Sequence, residues 1–319
     1  MKSFRRHLVL CAAVPLMLGA CTPRDHAPTM DGGKFLEETM PGPKISGLSD
    51  TQEQGAQALM ARGEYEKAGT VYRQLLDRDA NNIKYLTGYA EAARRAGKPD
   101  LAQRSYEALL RVEPDNLDAR EGLGLAVLAQ NNFNEAGRIF SELMKKDPKR
   151  WRSLNAMGLL FVQRHMYDEA LIYFAEALKY SPNNPSVLNN AGLTQAVQRN
   201  YPDARTALEK ASELAEPGSI LQKQIDLNMA MVYGIAGDMD RAEEIAARHL
   251  SGPQLYNNLG LYAHLAENDV MAKSYLNMAL SQSPSYYKRA WDNLKVVDTE
   301  TTDRAGFDRG KSGKRVKVN

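Results

Sequence analysis

The sequence predicts an all-α fold: a right-handed solenoid of about seven helix–turn–helix repeats closed by a C-terminal capping helix. Three observations predict it. Alanines recur every 34 residues at Ala68, Ala102, Ala136, Ala170 and Ala204. A large residue follows each by four positions, at Tyr72, Tyr106, Phe140, Phe174 and Leu208. Prolines at Pro114, Pro148 and Pro182 keep the same spacing. Alanine lets two helices approach, the large side chain one turn later fills the gap, and proline cannot continue a helix.

The elements can be taken in chain order. Residues 1–20 hold a positive start (Lys2, Arg5, Arg6), an apolar run from Leu8 to Leu18 and small residues, the layout of a secretory signal peptide. Leu18-Gly19-Ala20-Cys21 resembles the bacterial lipobox, which implies that Cys21 is lipidated and becomes the first mature residue. The alternative is an ordinary signal peptide with an incidental cysteine. By resemblance to Gram-negative lipoproteins, Thr22 is not the aspartate of inner-membrane retention, which implies a lipid-anchored protein on the periplasmic side of the outer membrane. Residues 21–48 hold four prolines and four glycines with no apolar period, and read as a flexible tether.

From residue 49 the repeat takes over, with units at about 49–82, 83–116, 117–150, 151–184, 185–221, 222–252 and 253–286. Within them Ala90, Gly124, Gly158 and Gly192 mark small-residue sites where helices can meet. The period breaks once: Ala204 to Ala242 is 38 residues and Ala242 to Ala272 is 30. An insertion near Glu216-Pro217-Gly218-Ser219 is thus offset by a shortened second helix before Ser251-Gly252-Pro253. Residues 287–297 supply the cap, and 298–319 a basic, disordered tail. That tail either touches anionic lipid, peptidoglycan or an acidic partner, or is simply solvated.

These elements resemble the tetratricopeptide repeat (TPR), over about 240 residues. In that family the first helix of each repeat lines a concave groove, and the resemblance implies two zones. Lys84, Glu91, Arg94, Arg95, Asp118 and Glu121 form a charged one. Leu159, Val162, Leu193, Val197, Leu227, Met231, Ile235, Leu261 and Leu265, interleaved with Asn155, Asn189, Asn190, Asn228, Asn257 and Asn258, form an apolar one that suits a peptide. A period of 3.6 cannot tell groove from helix–helix core, so part of this set is equally readable as packing. The carboxylate clamp of TPR cochaperones is not reproduced.

Composition narrows the chemistry. With 319 residues, 43% apolar and 25% charged, the chain is neither disordered nor a disulfide scaffold. Two cysteines and five histidines, with no Cys-x-x-Cys pair, are too few for a structural zinc or iron–sulfur site, and no cofactor is expected. Net charge is +3 over residues 1–20 and +4 over 301–319, leaving −5 for the body, so nucleic acid is not an expected partner. The match of Ala305 to Ser312 to a relaxed P-loop has alanine for the first glycine and no strand before it. No triad setting is evident. His165 is expected in an inter-helix turn, His249 and His264 on helices.

A lipobox ahead of a TPR body resembles the small lipoproteins that assist secretin assembly in pilus systems, most of all the TadD family of the tight-adherence (Flp) apparatus, with type IV pilotins next. The resemblance implies a non-enzymatic scaffold that holds a secretin or other pilus-machine subunit. The competing expectation is an envelope adaptor that recruits peptidoglycan hydrolases or synthases.

Overall fold

The structure, a computed structural model, describes residues 46–283 and 287–299. The signal peptide, Cys21, most of the tether and the basic tail from residue 300 lie outside the described residues. The described chain falls into two compact units, parted after Pro182. The first pairs α1 (Ser46–Ala61) with α2 (Tyr65–Leu76), α3 (Ile83–Arg95) with α4 (Pro99–Val112), α5 (Leu117–Ala129) with α6 (Phe133–Lys146), and α7 (Trp151–Gln163) with α8 (Tyr167–Tyr180). The second pairs α9 (Pro185–Val197) with α10 (Tyr201–Leu214), α11 (Ile220–Ile235) with α12 (Met239–Ala246), and α13 (Gly252–Leu265) with α14 (Asp269–Ser281), and ends in α15 (288–299). No strand occurs among the described residues.

Each pair is one expected repeat. Ala68, Ala102, Ala136, Ala170, Ala204, Ala242 and Ala272 are all fully buried. The glycines of the first helices show why. A Cβ on Gly158 would stand 2.4 Å from the Phe174 ring, and one on Gly124 2.8 Å from Phe140. On Gly192 it would meet Leu208 at 2.9 Å and the Ala204 carbonyl at 3.0 Å. Gly260 repeats this against Leu276 at 2.7 Å. Real side chains do not tolerate such distances, so the backbone of the first helix must be bare where the large residue of the second helix lands.

The two tyrosine repeats solve the problem differently. Tyr72 and Tyr106 cross to the following repeat, where a Cβ on Gly88 or Gly122 would stand 2.3 Å or 2.2 Å from their rings. One large residue therefore closes either its own helix pair or the junction to the next.

Turns repeat as faithfully as cores. Gly63, Gly97, Asn131, His165, Arg199, Gly237 and Glu267 follow the same spacing, including its break, and all have positive φ. The next residue donates its N–H back five positions, as Asn132 does to the Val127 carbonyl at 3.2 Å, closing the end of the first helix. Asn82, Asn116 and Asn184 then cap α3, α5 and α9 with their side chains.

The broken period appears where expected. Gly218 turns at φ 75° ahead of the Ser219 cap of α11, and α12 has only 8 residues where its counterparts have 12 to 14. One expectation needs correcting here. Because α12 stops at Ala246, His249 stands in the turn behind it rather than on a helix. At the end of the second unit, Ala290 and Val297 of α15 are buried against Ala272, Leu276 and Ala279, so the cap covers the last apolar face.

Two outcomes are expected from this packing. Gly158→Ala should lower unfolding free energy by about 1–3 kcal/mol in urea titrations, through overpacking against Phe174. Arg199→Gly should raise it by about 0.5–1 kcal/mol: the left-handed turn costs a non-glycine residue about 1–2 kcal/mol, partly offset by glycine's greater unfolded freedom. The Arg199–Glu267 ion pair lost in that variant is long, 3.6 Å, and solvent-exposed, so it contributes little.

Candidate partner-binding faces

In the first unit the expected charged zone exists and is internally paired. Glu91 on α3 accepts two bonds from Arg94, at 2.8 and 2.7 Å, and one from Arg95 at 2.6 Å. Its spacing of three and four residues from these arginines places all three on one helix face. The Tyr106 hydroxyl, from α4, adds a donor at 2.9 Å to the same carboxylate. Burial would raise the Glu91 carboxyl above its ordinary range, but Arg94 and then Arg95 override it and hold it at about 2. Burial likewise pushes the Tyr106 hydroxyl up, and the adjacent carboxylate pushes the same way.

A second cluster surrounds Arg150, which precedes α7. Its guanidinium reaches Asp118 at 2.8 Å, Asp147 at 3.2 Å and Glu121 at 3.5 Å. Glu121 is almost wholly buried and accepts from Ser153 Oγ at 2.7 Å. Lys84, by contrast, is exposed. Glu91, Arg94 and Arg95 thus pair within their own repeat, while Asp118 and Glu121 hold α5 to the start of α7. Arg150, just ahead of α7, and Ser153 within it were not singled out by sequence; they stand 32 residues from Asp118 and Glu121.

The apolar set divides between the units. Asn155 and Leu159 belong to α7 of the first unit and are partly exposed. In the second unit Val197 of α9, Asn228 of α11, and Asn258 and Leu261 of α13 are partly exposed as well. So are Leu227 and Ile235 of α11 and Leu265 of α13, whereas Val162 of α7 retains only 1% exposure. Asn189, Asn190, Leu193 and Asn257 retain 6, 3, 2 and 3% exposure, and Met231 9%, so they are interior groups and not a lining. The reason is local: α9 buries 9 of its 13 residues and has no wide polar face.

Buried amides find each other. Asn228 Nδ2 donates to Asn189 Oδ1 at 2.9 Å, and Asn189 Nδ2 to Asn190 Oδ1 at 3.4 Å. Asn293 of α15, which sequence reading did not select, donates to Asn257 Oδ1 at 2.9 Å. Its separation of 36 residues from Asn257, close to the repeat length, is the signal that was there to be read. Asn228 and Asn258 are the partly exposed amides of this unit, and Asn258 Nδ2 donates to the Gln254 carbonyl at 2.8 Å.

One cluster resembles catalytic chemistry at first sight. Buried Asp226 of α11 accepts from Ser212 Oγ at 2.5 Å and contacts His249 Nε2 at 2.6 Å. Here the carboxylate is the middle member, so the serine proton faces a carboxylate and not an imidazole base, unlike a hydrolytic triad. The arrangement ties the end of α12 to α10 and α11. Near-buried His264 is similarly held by Asp269 at 2.9 Å. Among the described residues no group of three His, Cys, Asp or Glu side chains is placed to hold a metal, and no helix is long and apolar enough to cross a membrane.

Comparison with known proteins agrees on the fold. The tetratricopeptide repeat profile matches residues 88–150 and 155–218. No curated protein sequence matches the chain. Among solved structures, a tetratricopeptide repeat protein from Parabacteroides merdae is 18% identical with a TM-score of 0.53, covering 78% of this chain and 98% of its own. Human IFIT1, a dimer with m7Gppp-AAAA, is 18% identical with a TM-score of 0.62, covering 80% of this chain, which spans only 64% of IFIT1. Pseudomonas aeruginosa pilF is 20% identical at a TM-score of 0.48, covering 72% of this chain and 96% of its own. Solved chains that match number 316, so a likeness of this kind identifies the fold and does not choose among functions.

The paired carboxylate gives a pH dependence. Glu91 has a folded pKa depressed from 4.5 to about 2, so its stabilisation is complete above 4.5 and lost as pH falls through 2. A depression of that size corresponds to on the order of 3 kcal/mol. Urea unfolding between pH 5 and about pH 2 should accordingly be less steeply pH-dependent in Glu91→Gln than in the parent chain, by an amount of that order.

Proposed function

Starting from a chain whose two units are tetratricopeptide-repeat solenoids, a fold that serves as a protein–protein interaction scaffold, we propose that it is a non-enzymatic assembly factor of the bacterial envelope. In this reading Cys21 carries lipid and holds the protein at the periplasmic face of the outer membrane. The body captures a segment of a secretin or another pilus-machine subunit through its first helices.

The observation that carries the reading is the charge distribution over those helices. The first helices α7, α9, α11 and α13 contain only Arg152, Lys223 and Asp226 as charged residues, and Asp226 is buried. The earlier first helices α3 and α5, fewer and shorter in total, contain seven: Lys84, Glu91, Arg94, Arg95, Asp118, Arg120 and Glu121. Second helices are charged throughout; α10 alone has Asp203, Arg205, Glu209, Lys210 and Glu213. A helix that faced only water would not be selected for neutrality. Within the second unit, uncharged helices with partly exposed Val197 and Leu261, and with the partly exposed amides of Asn228 and Asn258, suit an uncharged peptide segment whose side chains bury on the apolar groups and whose N–H groups meet the amides. The lipobox and the TPR body together, through their resemblance to TadD-like lipoproteins, direct the reading to a pilus apparatus.

Val197→Glu and Leu261→Glu, both partly exposed in the second unit, should each leave thermal unfolding within a few degrees of the parent while cutting secretin co-purification and secretin multimer yield at least tenfold in cells. Unchanged multimers with both substitutions combined would overturn the reading. Normal surface fibres with altered cell-wall composition in the deletion strain would instead favour the adaptor that recruits peptidoglycan enzymes.

A further inference from the structure

Of the second helices, α14 carries the fewest charges, and neither of them faces outward alone. Asp269 meets His264 of α13 at 2.9 Å, and Lys273 meets Asp298 of α15 at 2.7 Å. On the outer side Met271, Tyr275 and Met278 follow one another at spacings of four and three residues, which sets them in one line along the helix. Met271 and Met278 keep 36% and 44% exposure, and Val270 beside them is more exposed still.

Comparison with the preceding repeat shows what has been replaced. Asp240, Arg241, Glu244 and Arg248 correspond, 30 residues on, to Val270, Met271, Ser274 and Met278. Both sets are exposed, so packing within the repeat dictates neither. In the earlier repeat Glu244 accepts from Arg241 and Arg248, and the face is charged. In the later one thioethers and a valine take over. Single exposed apolar residues need no explanation, but a contiguous row of them marks a contact surface.

Position and charge together define what covers it. Described α15 ends at Thr299, and the Asp298–Lys273 pair fixes that end beside α14. The chain that leaves there, residues 300–319, holds one aromatic residue, Phe307, followed by Arg309, Lys311, Lys314, Arg315 and Lys317 with no acid among them. Phe307 is 8 residues from Thr299, a reach of at most about 28 Å, whereas the whole of α14 is about 20 Å long. Beside α14 lies α12, whose Met239 packs against the same buried cluster as Tyr275. Glu244 of α12 takes both arginines, which leaves Asp240 and Glu243 with no basic partner among the described residues. Burial raises the Tyr275 hydroxyl pKa, and Glu243 and then Asp240 add to it, in keeping with their place next to α14. Methionine sulfur makes favourable contacts with an aromatic ring, and the basic run matches the two carboxylates.

We propose that the outer face of α14 is the docking surface for the chain's own C-terminal segment, with Phe307 on Met271 and Met278 and the basic run beyond it along Asp240 and Glu243 of α12. A neutral face and an acidic one, side by side, receive a segment that is aromatic first and basic after. The proposal is independent of the reading of the first helices, since none of these residues belongs to that set.

The test uses the full chain in two preparations, one with carbon-13 methionine methyl groups and one carrying Phe307→p-benzoylphenylalanine. In the first, Phe307→Ala should shift the Met271 and Met278 methyl signals, which a ring lying on them displaces, and leave that of buried Met229 in place. In the second, irradiation should cross-link the benzophenone within one chain to peptides that hold Met271 or Met278. Asp240→Asn combined with Glu243→Gln should cut that yield at least threefold, as should raising salt from about 50 mM to about 500 mM. Met271→Glu combined with Met278→Glu, both at exposed positions, should abolish it while the circular dichroism spectrum stays that of the parent. Methionine signals unmoved by Phe307→Ala, or cross-links absent from α14, would overturn the site. Cross-links to α14 found only between differently isotope-labelled chains would assign the face to a second copy and overturn the intramolecular occupant. A yield indifferent to both salt and the α12 substitutions would overturn the part given to Asp240 and Glu243.

Discussion

How near the two helices of a repeat can stand depends on a backbone without Cβ meeting a ring or branched side chain. Phe140, Phe174, Leu208 and Leu276 each land on a glycine of their own first helix, and those glycines leave a gap of under 3 Å where a methyl would go. From that contact follow the full burial of the neighbouring alanine and the turn that must connect helices so closely spaced. The same constraint reaches the charged zone. A tyrosine in place of phenylalanine brings a hydroxyl that needs a partner when buried. The Tyr106 ring crosses to Gly122 and its hydroxyl donates to Glu91, so one side chain joins α5 to α3 and satisfies the carboxylate that Arg94 and Arg95 neutralise.

The alanine spacing and the broken period were legible because they are local consequences of helix geometry, and they place the helices and the short α12 correctly. The seat of the tyrosines was not, since Gly88 and Gly122 lie two residues before the small sites that a single-period reading selects. The signal was nevertheless present: glycine stands at those positions after Tyr72 and Tyr106, whereas Ala156 and Asn190 stand there after Phe140 and Phe174. The groove was legible only in part for a different reason. Leucine and asparagine at groove positions satisfy the same periodicity as leucine and asparagine between helices, and only burial separates Leu193 from Leu261 or Asn190 from Asn258.

Pairing of buried amides explains how asparagines came to occupy interior positions at all. An unpaired amide in a core costs several times what a hydrogen bond returns, so Asn189 and Asn257 require partners. Each has one 36 to 39 residues away, in the next repeat or the cap. A polar bond across a repeat junction is directional where leucine contacts are not, and so holds the register of successive first helices.

Charge distribution ties these features to what the two kinds of helix do. Ion pairs such as Arg138 with Glu135 and Glu142 lie on second helices, in solvent, where each contributes little to stability and mainly keeps that face wet. First helices of the second unit have no comparable pairs and carry amides instead. A neutral amide can be buried by a partner at far lower desolvation cost than an ion, and its donor and acceptor can be met by a peptide backbone irrespective of sequence. The faces suited to engaging another chain are therefore those from which charge has been removed, while the charged repeats at the start of the chain spend their ions on each other.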